Sequence, residues 1–186
     1  MVEHEKKLLL CEKEYEALLR YFCPLDPPVR QVNYYFDTAK LSMNRKGITC
    51  RIREKDGKLC ATRKEHKRNA SDRSLELSIP IENGLEKNGF TDAGLILYGS
   101  LTTERTTLVY WHNYRMVVDK NTYCGYTDYE LEIEYDEGYE PEADFLVVEI
   151  VMALAESGIT VTKQQLLTRM KKSKSKSERF FKRHSR

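Results

Sequence analysis

The feature that most constrains this chain is the alternating charge of its first segment, Glu3-His4-Glu5-Lys6-Lys7. In an extended strand successive side chains point to opposite faces, so Glu3, Glu5 and Lys7 share one face. The other face continues into Leu8-Leu9-Leu10 and is expected to be partly buried. A strand with both signs of charge on one face and apolar groups on the other indicates an enclosed polar cavity.

Length and composition predict one domain, residues 1–186, with an unusually large charged fraction of 32%. No apolar run approaches the roughly 20 residues that a membrane-spanning helix needs. The first residues are charged rather than those of a signal peptide, so we expect a cytoplasmic protein without a membrane partner. Five cysteines, an odd number without a C-x-x-C pair, argue against a disulfide framework or a zinc site.

Hydrophobic periodicity predicts about eight short strands and two major helices, at 12–22 and 142–157, with a short helix near 93–98. Asp56-Gly57 predicts a tight hairpin turn. After the first strand, further strands are expected at residues 31–37, 48–54, 58–65, 74–81, 101–110, 114–119 and 127–135, with a polar loop at 66–73. This order predicts an α+β fold, an eight-stranded antiparallel β-barrel whose helices cover an apolar outside and leave a charged interior.

Strand parity assigns an unusually charged set of side chains to the interior. The set comprises Glu3, Glu5, Lys7, Arg51, Arg53, Lys64, Glu76, Arg105, Asp119, Glu130, Glu132 and Glu134. Two like-charged residues on one face of a single strand could simply face solvent, but such pairs recur on several strands. Buried charges must compensate one another or contact ions or a charged ligand. Basic residues match phosphate oxygens, and clustered carboxylates match Mg²⁺ or Mn²⁺. The set therefore predicts a metal-dependent triphosphate site, and we expect a metal-activated water as the nucleophile.

The end of the chain is strongly basic, with eight lysines and arginines against one glutamate in residues 171–186. The simpler interpretation is a tail that faces solvent. A nucleic-acid partner is not expected, because the alternating glutamates of the predicted strands repel a polyanion. His4, His66, His112 and His184 lie on the other strand parity, in loops or in the tail, and are expected to face solvent.

Several motifs, in order along the chain, resemble those of the CYTH domain proteins, also called triphosphate tunnel metalloenzymes. The family's E-x-E-x-K strand is matched by Glu3-His4-Glu5-Lys6-Lys7, and its R-x-R element by Arg51-Ile52-Arg53. Lys64 matches the lysine of the following strand, and Glu132-Ile133-Glu134 matches the late E-x-E strand. The chain looks most similar to a small bacterial branch often labelled adenylate cyclase or CYTH-domain protein.

The resemblance implies an eight-stranded antiparallel tunnel that hydrolyses inorganic triphosphate or a small organic or nucleoside triphosphate with Mg²⁺ or Mn²⁺. It implies metal ligands among Glu3, Glu5, Asp119, Glu130, Glu132 and Glu134. It implies triphosphate contacts from Lys7, Arg51, Arg53, Lys64, Arg105 and Lys176, the last from a C-terminal Ser-Lys segment that closes one mouth. Arg115 lies on the same strand face as Asp119 and is a further candidate phosphate ligand, with a surface position as the alternative. Glu5, Lys7, Lys64 and Glu76 are the expected catalytic residues.

The chain departs from the family at one position, where the carboxylate expected beside Glu76 is replaced by Ser74 or Ser78, which puts a second metal in doubt. Two alternatives therefore stay open, a class IV adenylate cyclase and a non-catalytic polyphosphate- or nucleotide-binding module. The sequence does not fix the oligomeric state, and a homodimer stays open as well.

Overall fold

The computed structural model describes residues 2–66, 73–81, 85 and 88–184, and at residues 2, 3, 66, 73 and 74 the description covers the backbone alone. The strands in this part of the chain are β1 (Val2–Leu10), β2 (Val29–Asp37), β3 (Ile48–Lys55), β4 (Lys58–His66), β5 (Arg73–Ile81), β6 (Ile96–Tyr110), β7 (Tyr114–Tyr123) and β8 (Tyr126–Tyr135). The helices are α1 (Glu12–Phe22), α2 (Ser42–Arg45), α3 (Gly89–Asp92), α4 (Glu140–Glu156), α5 (Lys163–Lys172) and α6 (Lys176–His184).

The eight strands form a closed antiparallel barrel in the order β1-β5-β4-β3-β2-β6-β7-β8. Strands β1 and β8 close it, with Glu5 opposite Glu134 and Lys7 opposite Glu132. Asp56 and Gly57 both have positive φ, at 52° and 70°, as the tight turn between β3 and β4 requires. The predicted fold class and the predicted hairpin are therefore confirmed.

The main hydrophobic core lies between the outer surface of β1, β7 and β8 and the helices α1, α4 and α5. On β8, Leu131 and Ile133 are fully buried in this core, whereas Glu130 and Glu132 alternate with them on the other face. On α4, Val147 and Ile150 are among the residues that complete it. Since the helices bury the apolar face of these strands, the charged face is left to the inside of the barrel.

Two of these sequence predictions need correction, and a third is not tested. The short helix near 93–98 is wrong: helix α3 ends at Asp92, Gly94 takes a φ of 75°, and β6 begins at Ile96 to pair with β2. His4 was expected to face solvent, but only 6% of its surface is exposed. The predicted loop at 66–73 falls largely outside the described residues, because those at 67–72 are not covered.

The basic end of the chain is not a solvated tail in the structure, since it forms α5 and α6. Helix α5 starts with a capping box in which Thr162 and Gln165 each accept a hydrogen bond from the other's backbone N–H. Its Leu166 and Met170 pack into the main core. Its Arg169 reaches back to Glu14 of α1, with two nitrogen–oxygen distances of 2.7 and 2.9 Å. Apolar burial and a partly buried ion pair thus hold this segment against the barrel.

Within the described residues, no helix has both the length and the apolar character needed to cross a bilayer.

Candidate active site: a charged tunnel

A cavity of about 90 Å³ lies inside the barrel and is lined mainly by charged side chains. The structure brings together here all the predicted phosphate-binding residues, which are Lys7, Arg51, Arg53, Lys64, Arg105, Arg115 and Lys176. Of the predicted acidic residues, Glu5, Glu76, Glu132 and Glu134 line the same cavity. Asp119 and Glu130 lie behind it and are fully buried, and the side chain of Glu3 falls outside the described residues. For the described residues, the alternation of side chains along each strand therefore predicted correctly which charged groups face the interior.

At the β1–β8 seam, acidic and basic side chains pair with each other. The Glu5 Oε1 atom accepts hydrogen bonds from Lys7 Nζ at 2.7 Å and from Lys64 Nζ at 3.1 Å. Burial alone raises the pKa of the Glu5 carboxyl, but the ammonium groups of Lys7 and Lys64 outweigh it and lower that pKa to about 2. Glu5 is thus an anion at neutral pH, with its charge already compensated.

A second cluster joins strands β7 and β8 to helix α6 through one ammonium group. The Lys176 Nζ atom lies 2.8 Å from Asp119, 2.7 Å from Glu130 and 2.6 Å from Glu132. Burial alone lowers the pKa of Lys176, yet the three carboxylates raise it well above its ordinary value. The sequence placed Lys176 on the phosphate, whereas here its charge sits where three carboxylates converge.

Arg105 of β6 neutralises the same acidic wall from the side. Its guanidinium holds Asp119 with two hydrogen bonds of 2.8 and 2.7 Å, contacts Glu132 and reaches Glu134 at 3.2 Å. Nearer the mouth, Arg115 Nε donates to Glu134 at 2.7 Å. The acidic wall of the tunnel is therefore largely balanced by the protein's own cations.

Across the tunnel, the wall formed by strand β3 carries more positive charge than nearby carboxylates neutralise. Arg51 lies 3.6 Å from Glu76, and its buried Nε has no hydrogen-bond partner in the described part of the chain. The buried hydroxyl of Tyr35 is also without one there. Burial lowers the pKa of Arg53 to about 10, with further lowering by Arg51 and Arg105. This wall has more positive charge and more donors than its surroundings satisfy, which is the environment of an anion site.

The sequence reasoning missed Arg179, which anchors α6 inside the barrel. Arg179 Nε donates to Asp128 at 2.9 Å, Nη2 to Glu130 at 3.0 Å, and Nη1 to the Lys174 carbonyl oxygen at 2.6 Å. A signal was present in the sequence: Ser175 and Glu178 have the spacing of a capping box, and they form one. A helix from there places Lys176 and Arg179 on one face, three residues apart.

The aromatic residues of α6 close the mouth of the barrel at the end of β7. Phe180 and Phe181 pack with Tyr35, Leu101 and Tyr123 in a separate buried cluster. The ring of Phe180 passes so close to Gly99 that a Cβ atom there would lie 3.2 Å from it. The tunnel is consequently closed at this end and open at the other, where β7 begins.

The family model for the CYTH domain matches residues 1–164 of the sequence. The chain belongs to the CYTH domain family. No curated protein sequence matches the chain. Helix α6, with Lys176 and Arg179, lies beyond the segment that the CYTH model matches.

Solved structures share the fold of this CYTH domain along nearly its whole length. A Bacillus halodurans protein proposed to be an adenylate cyclase is 20% identical, with a TM-score of 0.70, and the match covers 96% of this chain and 97% of that one. A Hippeastrum protein proposed to be an adenylyl cyclase, described as having a dominant triphosphatase activity, is also 20% identical, with a TM-score of 0.65 and coverage of 97% and 95%. The mimivirus capping enzyme triphosphatase is 10% identical, with a TM-score of 0.53 and coverage of 82% and 90%.

Proposed function

We propose that this CYTH protein hydrolyses a triphosphate inside the barrel with the help of Mg²⁺ or Mn²⁺. The observation that carries the proposal is the unsatisfied basic wall: Arg51 Nε and the Tyr35 hydroxyl are buried donors without partners among the described residues, beside Arg53. Seven basic and four acidic residues line the cavity, so its own charges leave an excess of positive charge. A polyanion of several phosphate groups supplies both the missing charge and the missing acceptors.

The phosphate chain would lie between β3 and the β1–β4 side of the tunnel. Arg51 and Arg53 bind phosphate oxygens directly, because neither guanidinium is saturated by carboxylates. Lys7 and Lys64 now share Glu5, and both can turn to the ligand because an ammonium group on a flexible stem reorients easily. Arg105 and Arg115, at the acidic wall, add charge that stabilises a leaving phosphate.

The carboxylates of the acidic wall fit a divalent cation. Oxygen atoms of Asp119, Glu130 and Glu132 lie within 4.8 Å of one another, but Lys176 Nζ already occupies the point where they converge. Glu5, Glu132 and Glu134 would be the ligands nearest the phosphate, since β1 and β8 place them side by side. A divalent cation supplies neutralisation of phosphate charge and a water of lowered pKa. Glu3 stays a predicted ligand.

One cation fits this site better than two. The position expected to hold a carboxylate beside Glu76 is a serine, and the Ser78 hydroxyl donates to Glu76 at 3.1 Å. On the proposed mechanism, Glu76 therefore positions Arg51 across the tunnel rather than sharing a second metal with another carboxylate.

The test is phosphate release from inorganic triphosphate with Mg²⁺ or Mn²⁺, compared with EDTA. We expect metal-dependent turnover and a kcat/KM for Arg51→Gln reduced roughly 10- to 100-fold, the equivalent of one lost charged hydrogen bond. The matched control is Arg63→Gln on β4, whose side chain is 48% exposed. Turnover that survives EDTA, or equal effects of the two substitutions, would refute the proposal.

The same samples decide between the alternatives. Cyclisation would give pyrophosphate and cyclic AMP from ATP. A binding module would show a higher melting temperature with inorganic triphosphate but no phosphate release above background.

A further inference from the structure

A further cavity, of about 380 Å³, lies at the rim of the closed end of the barrel. It is bordered by the end of β1, the turn between β7 and β8, the linker between α5 and α6, and the last turns of α6. Leu10 and Tyr123 belong to its apolar side and are almost fully buried. Among the described residues, none lines both this rim cavity and the tunnel, so the phosphate contacts proposed above leave it unassigned.

The floor of the rim cavity is an ion pair whose charges are matched within the protein. Arg179 is only 8% exposed and donates to Asp128 from both Nε and Nη2, at 2.9 and 3.2 Å. Asp128 also accepts hydrogen bonds from the Tyr123 hydroxyl at 2.6 Å and from the Asn121 side chain at 3.1 Å. A network that is satisfied in this way holds its members in place. The floor is therefore neutral and needs no further partner from a ligand.

Three cations surround this neutral floor without carboxylates of their own. Lys174, Lys182 and Arg183 line the rim cavity, and none of them forms an ion pair within the part of the chain that the structure describes. Glu178 is the one acidic residue in the sequence from 171 to 186, and its carboxylate accepts the Ser175 N–H at 2.8 Å. The three positive charges are therefore left without a counter-charge, and such a surface attracts an anion.

The ring of Tyr126 fixes one of these cations in position. The Arg183 guanidinium carbon lies 4.0 Å from the centre of the ring, so the planar group rests on the ring face. Stacking occupies one face of the guanidinium and leaves its N–H edge available to bind two oxygens of an acid group at once. A guanidinium that is already held by an aromatic ring loses less conformational entropy when it binds.

We propose that the rim cavity binds a small organic anion in which a phosphate or carboxylate group is joined to an apolar or aromatic body. The acid group lies against Lys174, Lys182 and Arg183, and the body lies against Leu10 and Tyr123. A bare phosphate fits less well, because it leaves the apolar side of the cavity in contact with water. The proposal does not depend on hydrolysis in the tunnel.

Binding at the rim would hold helix α6 in place. The ligand connects α6, through Lys182 and Arg183, to the β7–β8 turn and to the end of β1. The same helix carries Lys176 into the tunnel and buries the rings of Phe180 and Phe181. A ligand that binds only when α6 is in this position stabilises that position by mass action.

Isothermal titration calorimetry with phenyl phosphate and with inorganic phosphate tests the chemistry of the site. We expect phenyl phosphate to bind, and inorganic phosphate to bind at least about tenfold more weakly because it lacks the ring. Arg183→Gln should weaken the binding of phenyl phosphate about tenfold through the loss of a charged hydrogen bond. The matched control Lys172→Gln removes an exposed charge of α5 outside the cavity and should leave the affinity unchanged.

Arg51→Gln, in the tunnel, serves as the second control and should also leave the affinity for phenyl phosphate unchanged. Equal affinity for the two anions, equal effects of Arg183→Gln and Lys172→Gln, or a loss of binding in Arg51→Gln alone would each overturn the proposal. These outcomes are independent of the triphosphatase assay, so the rim site and the tunnel function can fail separately.

Cleavage by chymotrypsin after Phe180 and Phe181 measures whether the ligand holds α6. The two residues are 1% and 3% exposed, so cleavage requires the helix to leave the barrel. We expect phenyl phosphate to slow the release of the C-terminal fragment, followed by mass spectrometry, in the unmodified chain and not in Arg183→Gln. Equal release with and without saturating phenyl phosphate in the unmodified chain would refute the effect on α6.

Discussion

Lys176 provides the sharpest test of how the interior of this CYTH barrel is stabilised. Its ammonium group lies 2.6 to 2.8 Å from three carboxylates, and the side chains of Asp119 and Glu130 are fully buried. Lys176→Met keeps the length of the side chain and removes the charge. Removing one partner of a buried ion pair costs about 3–5 kcal/mol. Since Arg105 and Arg179 still contact the cluster, we expect the lower end, about 3 kcal/mol.

Thermal unfolding at pH 7 in EDTA measures this loss. For a chain of this size, about 3 kcal/mol corresponds to a fall in Tm of roughly 6 to 12 °C. Lys172→Met, at an exposed lysine of the neighbouring helix α5, is the control and should change Tm by little. Mn²⁺ should restore part of the stability of Lys176→Met, because a divalent cation can neutralise the buried carboxylates that have lost the Lys176 ammonium group.

The loss of stability in Lys176→Met should also become smaller at acid pH. The pKa of Glu132 is held well below its ordinary value, against the effect of burial, chiefly by Lys176 and Arg105. A carboxyl with a depressed folded-state pKa stabilises the protein above its unfolded-state pKa, and this contribution is lost as pH falls below it. If Lys176→Met lowers the Tm no more than Lys172→Met does, the Lys176 ammonium group does not stabilise the buried carboxylates. Absence of any Mn²⁺ effect in Lys176→Met would show that the cluster does not accept a divalent cation.

Three further predictions concern the rest of the structure. The pKa of Glu5 is lowered from 4.5 to about 2, so its carboxylate contributes about 3 kcal/mol to the free energy of unfolding above pH 4.5, and this contribution is lost between pH 4.5 and 2. In Glu5→Gln, the free energy of unfolding measured with urea should therefore fall less steeply over this pH range. Arg169→Met should cost about 2 kcal/mol in the same assay by removing two charged hydrogen bonds to Glu14, whereas equal stability would contradict the assigned pair. Gly99→Ala should loosen the packing of α6 on β6, because the added Cβ would crowd the Phe180 ring of α6; we expect faster proteolysis of the C-terminal segment than in Gly138→Ala.

The barrel could be predicted because its pattern is repeated locally. Several strands alternate charged and apolar residues, so the alternation alone assigned Glu5, Arg53 and Glu132 to one interior. The Asp56-Gly57 turn fixed one hairpin, and with it the register of β3 on β4. Errors in strand ends were confined to a few residues, except in β6, whose first residues follow the glycine-rich segment and were interpreted as helix.

The C-terminal helices could not be predicted from charge alone, because their partners are distant in sequence. Arg179 contacts Asp128 and Glu130, about 50 positions earlier, and no local pattern shows that these carboxylates require a buried cation. Eight basic residues in a short segment favour a solvated tail when only local composition is considered. The helical spacing of Lys176, Arg179 and Phe180 carried the missing information, since it places both cations and one aromatic ring on a single face.

His4 shows a different limit of parity arguments. Its outward parity on β1 was correct, but outward does not mean exposed when neighbouring residues of β8 cover the strand. The His4 ring packs 5.6 Å from that of Tyr135, with an angle of 50° between the planes. Burial on the outside of a barrel depends on what packs there, which the alternation of a single strand does not encode.

The two walls of the tunnel explain why so many charges can be buried together. Along β7 and β8, the carboxylates are neutralised in successive layers from the closed end to the open mouth by Arg179, Lys176, Arg105 and Arg115. On β3, by contrast, too few carboxylates lie near Arg51 and Arg53 to neutralise both guanidinium groups. An anion bound at β3 would draw Lys7 and Lys64 away from Glu5, and Glu5 would then favour a cation. Triphosphate and metal are therefore expected to strengthen each other's binding, because each compensates the charge that the other exposes.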